Sequence, residues 1–376
     1  MEKEEITDLL KTLCGIPSPS NHEEKRAEFC RNFFFQCGAC DVSVDDALNV
    51  RCLIKGVGGE DGKRPIIVFM AHTDTVFPDD EPMPYRVSDG KIYCPGVGDD
   101  TANLALLLLV ARGILRDNLR PRDKDILIVC DAGEEGLGNL KGSRAIMRDY
   151  GNRVEEFYAV DGTVLMYCDS AVGSHRYEIT VTTEGGHAYG SFGNRNAIYY
   201  MSSLITDLYQ IKLDSDGLVT YNVGLISGGT SVNTIADTAT CLYEYRSNEK
   251  ADLAFLKNHL FALANAYRAK RIGVSLKLIG ERPCSKKIGK KKFYKMMDRV
   301  IPVLAYYFKG AYDDPEIFEY KHPGSTDCNI PLSMGIPAIS FGCYLGAGAH
   351  TRTEWVAEES LLPGFYALND IVRSYF

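Results

Sequence analysis

The stretch IIVFMAHTD, residues 66–74, decides how the chain is read. Six apolar residues follow Pro65 without interruption, the pattern of a central strand covered on both faces. The run closes on His72 and Asp74. In a strand, two positions of spacing put both side chains on one face, so the Asp74 carboxylate is expected to reach a ring nitrogen of His72.

Similar short apolar runs recur with helical stretches between them. They are NVRCLIKG (49–56), TANLALLLLVARGILRD (101–117), KDILIVCDAGEEG (124–136), SRAIMRDYG (143–151) and EEFYAVDGT (155–163). Strands alternating with helices of these lengths predict an α/β domain with a doubly wound, mostly parallel sheet. Functional residues are then expected at the carboxyl ends of the strands.

Residues 173–283 follow another order: strand RYEITVTT, helix NAIYYMSSLITDLYQI, strands TYNVGLIS and TATCLYEYRS, helix ADLAFLKNHLFALANAYRAK, strand GVSLKLIG. Leu253, Leu256, Leu260, Leu263 and Tyr267 form one apolar stripe on the second helix. β-α-β-β-α-β is the ferredoxin-like order. After 284 the α/β pattern resumes with FYKMMDRVIPVLAYYF, PAISFGCYLG and SLLPGFYALNDIVRSYF. The expected organisation is a catalytic domain of residues 1–172 and 284–376, interrupted by an inserted domain of residues 173–283.

With 376 residues, two domains are the prior. A hydrophobic content of 45% and a charged content of 24% fit a globular protein rather than a disordered one. A net charge of −8 argues against nucleic acid as a partner, because counterion release needs a basic face. The basic run CSKKIGKKKFYK (284–295) reads as a solvated helix start, with an anion patch as the sharper alternative. MEKEEITDLLKTLCGIPS lacks the apolar core of a secretion signal, and no run is long enough for a bilayer span. The 12 cysteines lie singly in apolar segments, which suits reduced thiols and a cytoplasmic location; only Cys37 and Cys40 form a C-x-x-C pair.

Acids and histidines terminate the predicted strands: His72 and Asp74, Glu134 and Glu135, Asp161, and His350 beyond AISFGCYLGAGAHT. Asp99 and Asp100 in GVGDDTAN precede an apolar helix. Singly, each has an ordinary explanation as a helix cap, a turn residue or a bonded strand end. Together they converge on one sheet edge, where that many carboxylates repel one another unless a divalent cation is present. Imidazoles with carboxylates suit zinc, cobalt or manganese, and a bridging carboxylate suits a two-ion centre. Of the adjacent Glu134 and Glu135, one is expected to be a ligand and the other a general base for a water beside the metals.

These motifs resemble the M20 family of zinc hydrolases, which includes aminoacylase-1 and peptidase T-like enzymes. MAHTDTV is similar to its H-x-D-T-V signature, GVGDDTAN to G-x-x-D-D-K-x-G, DAGEEGLGNLKGSR to E-E-x-G-x-x-G-A, and AVDGT to the next ligand-bearing strand end. The resemblance implies two Zn2+ per subunit: His72 and Asp161 on one ion, Glu135 and His350 on the other, and Asp99 bridging. It implies Asp74 as support for His72 and Glu134 as the base.

In the inserted domain EGGHAYGS resembles the segment whose histidine, His187 here, helps polarise the scissile carbonyl from a partner subunit; a homodimer is implied. GGTSVNTIAD implies Asn233, and YEYRS implies Arg246, as contacts to a small peptide or acyl-amino-acid substrate. Thr101 stands where the family pattern has lysine, which predicts a missing local ion pair. Aspartate at 161 leans the reading toward aminopeptidases and tripeptidases, with an N-acyl amino acid deacylase or carboxypeptidase as the alternative.

Overall fold

In the computed structural model all residues are described except 165, 216 and 311–322. The chain divides into two compact units, Met1–Ala171 with Ser285–Phe376, and Val172–Cys284.

The larger unit is built on a seven-stranded sheet. Its order is Val42–Val44, Val50–Ile54, Asp125–Asp131, Ile66–His72, Val154–Val160, Ala338–Phe341, Tyr167–Cys168. The four strands from Asp125–Asp131 to Ala338–Phe341 are mutually parallel; the flanking pairs are antiparallel. NVRCLIKG thus supplies an antiparallel neighbour to a parallel centre.

All seven residues of Ile66–His72 are buried. Ile67, Phe69 and Ala71 join the apolar core on one face, Ile66, Val68 and Met70 the core on the other. Period two therefore sends alternate side chains into two separate cores, and helices cover both faces. Helix Asn103–Arg116 buries ten of its residues from Asn103 to Ile114, and helix Leu361–Arg373 packs with it in the first core. Helix Lys141–Tyr150 contributes Ile146 and Met147 to the second.

The run PAISFGCYLG contributes a shorter strand than its apolar length implies. The strand ends at Phe341 because the next residue meets a neighbouring loop: a Cβ on Gly342 would lie 1.7 Å from the Gly162 carbonyl oxygen. Only glycine permits that approach. A second, four-stranded antiparallel sheet joins Gly346–Ala347, Trp355–Ala357, Lys91–Tyr93 and Arg86–Ser88.

The smaller unit carries strands Gly173–Thr182, Val219–Gly228, Thr238–Ser247 and Gly273–Arg282, with helices Ala197–Tyr209 and Lys250–Ala269. The sheet order is Val219–Gly228, Thr238–Ser247, Gly173–Thr182, Gly273–Arg282, entirely antiparallel. In order of sequence that is 2-3-1-4, the ferredoxin-like arrangement. Leu253, Leu256, Leu260 and Tyr267 of the stripe are buried in this unit's own core, with Leu263 partly buried against it.

Candidate metal centre

Parallel strands release their chains at one sheet edge, and there the acids and histidines of the larger unit meet. Asp99 lies between two imidazoles: its Oδ1 is 3.0 Å from His72 Nε2, and its Oδ2 is 3.1 Å from His350 Nε2. His350 Nε2 is also 2.9 Å from Glu135 Oε1. One ligand atom each from His72, Asp99 and Glu135 lies within 4.8 Å of the others, and the same holds for His72, Asp100 and Asp161. Asp161 is placed by its backbone amide, which donates to Phe341 O at 2.9 Å.

Asp74 is wholly buried and does more than was expected of it. Its Oδ1 accepts the amides of Gly133 and Glu134, each at 3.1 Å; its Oδ2 accepts the Glu135 amide at 3.0 Å and the Ser20 hydroxyl at 2.7 Å. The carboxylate also reaches His72 as expected, alongside a closer main-chain contact. His72 Nδ1 lies 3.0 Å from the backbone carbonyl of Asp74 and 3.5 Å from its Oδ1. The strand ends at His72, so strict alternation no longer governs residue 74. Asp74 therefore engages His72 through both its main chain and its carboxylate, and shapes the Glu134–Glu135 turn through the same side chain.

Tight packing of that turn also needs glycine: a Cβ on Gly138 would sit 2.4 Å from Gly133 Cα, and Gly133 itself has φ +73°. Glu134 and Glu135 are both buried, and Glu135 is paired with His350.

Three further residues, silent in the sequence, hold the ligand loops. Glu354, buried, accepts the amides of Gly96, Gly98 and Asp99 at 2.6, 2.9 and 2.8 Å. Arg26, also buried, donates to Ile16 O at 2.9 Å, Thr73 O at 2.9 Å and Thr101 Oγ1 at 3.1 Å. Position 101 thus has a cation beside it although it is threonine, and the hydroxyl goes on to Gly96 O at 2.5 Å. The missing charge is supplied from the second helix, Glu24–Gln36. Ser20, on Asp74, is the third. The only early signal for any of them was the departure from lysine at 101.

The electrostatics are those of crowded acids. Burial pushes the Asp161 carboxyl up to about 7, with the charges of Asp99 and Glu135 adding to it. Burial likewise raises Asp100, whose Oδ2 accepts the His72 amide and whose Oδ1 accepts from Asn103. For Asp99, burial works upward, but hydrogen bonds from His350 and His72 outweigh it and hold the group well below the carboxylate range. Bonds to Asp99 and Glu135 lift His350 to about 10. Two imidazoles with Asp99, Glu135, Asp100 and Asp161, the last two raised by burial with neighbouring carboxylates adding to it, form an N/O donor set that suits a pair of borderline divalent cations.

The sequence profile of peptidase family M20/M25/M40 matches residues 68–374, well over half the chain and inclusive of every ligand candidate. The chain belongs to that family. It is accordingly a metal-dependent hydrolase of the peptidase class. Among solved M20-like folds, a tripeptidase from Staphylococcus aureus superposes with a TM-score of 0.75 at 21% identity, covering 100% of this chain and 99% of that one. An aminopeptidase PepT from Bacillus cereus gives 0.70 at 21% identity, again covering 100% and 99%. A succinyl-diaminopimelate desuccinylase from Delftia acidovorans is 24% identical over 69% of this chain and 72% of its own length.

The remaining candidates lie in the smaller unit. His187 stands in a two-stranded ribbon opposite Thr234, and the Ala188 amide donates to Asn233 O at 2.9 Å, so His187 and Asn233 are neighbours. His187 Nδ1 accepts the amides of Tyr189 and Gly190 at 3.3 and 3.1 Å. In the neutral ring that assigns the proton to Nε2, leaving an exposed donor.

Arg246 is not brought to them. It lies eight positions along its strand from Thr238, about 27 Å at the usual rise, with its guanidinium on Glu244 at 2.9 and 3.1 Å. Among the described residues no helix is long and apolar enough to cross a membrane. All 12 cysteines are free, with Cys37 half-buried and Cys40 exposed.

Proposed function

We propose that this chain is a co-catalytic two-metal exopeptidase that cleaves an amide bond of di- or tripeptides, in the manner of an aminopeptidase or tripeptidase. The observation that carries the reading is the Asp99 carboxylate, one oxygen on His72 and the other on His350. That is the placement a bridging ligand requires.

His72 and Asp161 would hold one ion, Glu135 and His350 the other, and Asp99 both, with Zn2+ proposed and Co2+ or Mn2+ as substitutes. When bound, such ions acidify a water and polarise the scissile carbonyl. Glu134, its backbone fixed by Asp74, takes the water's proton on its carboxylate and returns it to the leaving amine. His187 donates Nε2–H to the carbonyl oxygen as negative charge develops. We place it in a partner subunit, in a homodimer assembled through the inserted domain of residues 173–283. Asn233, beside it, contacts the substrate. Arg246 grips a substrate carboxylate only by exchanging it for Glu244. The free thiols support a cytoplasmic location.

The 24% identical desuccinylase favours one second reading, an N-acyl amino acid deacylase using the same centre. Metal stoichiometry together with turnover of tripeptides against N-acetyl amino acids separates them. Two bound ions with no turnover on either panel would make the chain a catalytically inactive metal-binding relative.

A further inference from the structure

A groove with a volume of about 770 Å³ is lined by residues that continue the loops of the metal centre. Thr75 and Gly136 in its wall each follow a residue of the centre by one position, Asp74 and Glu135. Ser20, also in the wall, is the residue that donates to the Asp74 carboxylate. The groove therefore shares its wall with both loops that position the proposed base and its adjacent ligand.

Much of the lining is apolar. Val76 is 38% exposed and Leu137 is 55% exposed, two aliphatic side chains that line the groove together with Pro17. Scattered exposed aliphatics need no explanation, but two that line one concave wall next to a reactive centre do. The charged groups of the lining are of both signs, Lys25 against Glu24 and Asp80. They create no field of one sign that would select a charged side chain. Pockets of roughly 300–1,000 Å³ hold whole small ligands, so a branched or aromatic side chain fits here with its own backbone.

We infer that this groove is the subsite that receives a large apolar side chain adjacent to the scissile amide, making the enzyme selective for peptides with leucine- or phenylalanine-like residues at one position. The inference rests on the peptidase reading above. Leu137 and Val76 are its specificity-determining residues: they bury substrate surface and take no part in the proton transfers.

The experiment measures kcat/KM of the metal-loaded full chain on X-Gly-Gly, Gly-X-Gly and Gly-Gly-X, with X as Ala, Leu, Phe, Asp or Lys. At one position the wild type should prefer Leu and Phe to Ala, and Leu137→Ala should reduce the Leu/Ala ratio about 10-fold, the usual scale for lost methylene contacts in an apolar pocket. Val76→Ala should reduce the ratio at the same position, and Leu137→Lys should raise the relative rate on Asp there. Both residues are part-exposed, so these variants fold. Ratios unchanged by all three variants at every position overturn the subsite while leaving the peptidase reading intact. A wild type that binds metal and cleaves none of the peptides removes both.

Discussion

His72 and His350 reach the same carboxylate from different kinds of structure. His72 ends a fully buried strand, with its ring 1% exposed and both ring nitrogens engaged, one by the Asp74 carbonyl and one by Asp99. His350 belongs to a loop, has φ +64°, and leaves 56% of its side chain exposed. The loop is fixed by its own neighbours: Arg352 clasps Asp79 with two bonds of 2.9 and 2.7 Å and lies over Phe77 at 5.1 Å, while Glu354 holds the Asp99 loop. One histidine is placed by the sheet and the other by side-chain ties. A strand end is rigid because the whole core must move with it; a tied loop yields when one tie is cut.

Chemistry common to both halves should show the largest effect. Glu134→Ala is expected to keep both ions and lose about 10²–10⁴ in kcat, the usual contribution of a positioned general base. Metal analysis alongside initial rates checks this, and near wild-type turnover would remove Glu134 from its role.

On the sheet side, Asp74→Ala strands three buried amides and the Ser20 hydroxyl. Metal affinity or activity should fall about 10–100-fold, the scale for groups that support ligands, and the melting temperature should drop as well. If calorimetry shows an unchanged melting temperature, the strand end is less dependent on Asp74 than its bonds imply.

On the loop side, the metal-free protein should respond to pH through His350. Its folded-state value of about 10 lies above the ordinary imidazole range, so the imidazolium between Asp99 and Glu135 contributes stability that is complete below about 6.5 and lost as pH rises toward 10. A metal ion must displace that proton, so affinity should rise with pH over the same window. His350→Ala should flatten the stability curve between these values; an equally steep curve in the variant would assign the dependence elsewhere. The smallest effect is expected from Arg352→Ala, an exposed pair: metal retention weakens a few-fold, with the fold unaffected. A loss as large as that of Asp74→Ala would show that both histidines are held with equal rigidity.

Residues that announce themselves locally were legible in the sequence. His72, Glu135, Asp161 and His350 end apolar runs or follow them, and Asp99 precedes an apolar helix, so the alternation of strands and helices points them to one edge of a parallel sheet. The strands of the second, four-stranded sheet were not legible, because two or three residues are too few to display a period. Nor was the second use of Asp74, whose carboxylate also accepts the amides of Gly133, Glu134 and Glu135 and the Ser20 hydroxyl. Arg246, expected from its motif to contact substrate, lies eight positions along its strand from Thr238 with its guanidinium on Glu244.

By itself the sequence determined the layered α/β architecture, the inserted ferredoxin-like order and the set of donors, since each is written in spacings of two to four residues or in the chemistry of single side chains. Tertiary structure alone decided what holds those donors still. Glu354 lies 255 to 258 positions from the amides it accepts, Ser20 lies 54 from Asp74, and Arg26 lies 75 from the threonine that replaces a lysine. Bonds across such separations leave no local pattern, because they exist only once the sheet has brought its loops to one edge.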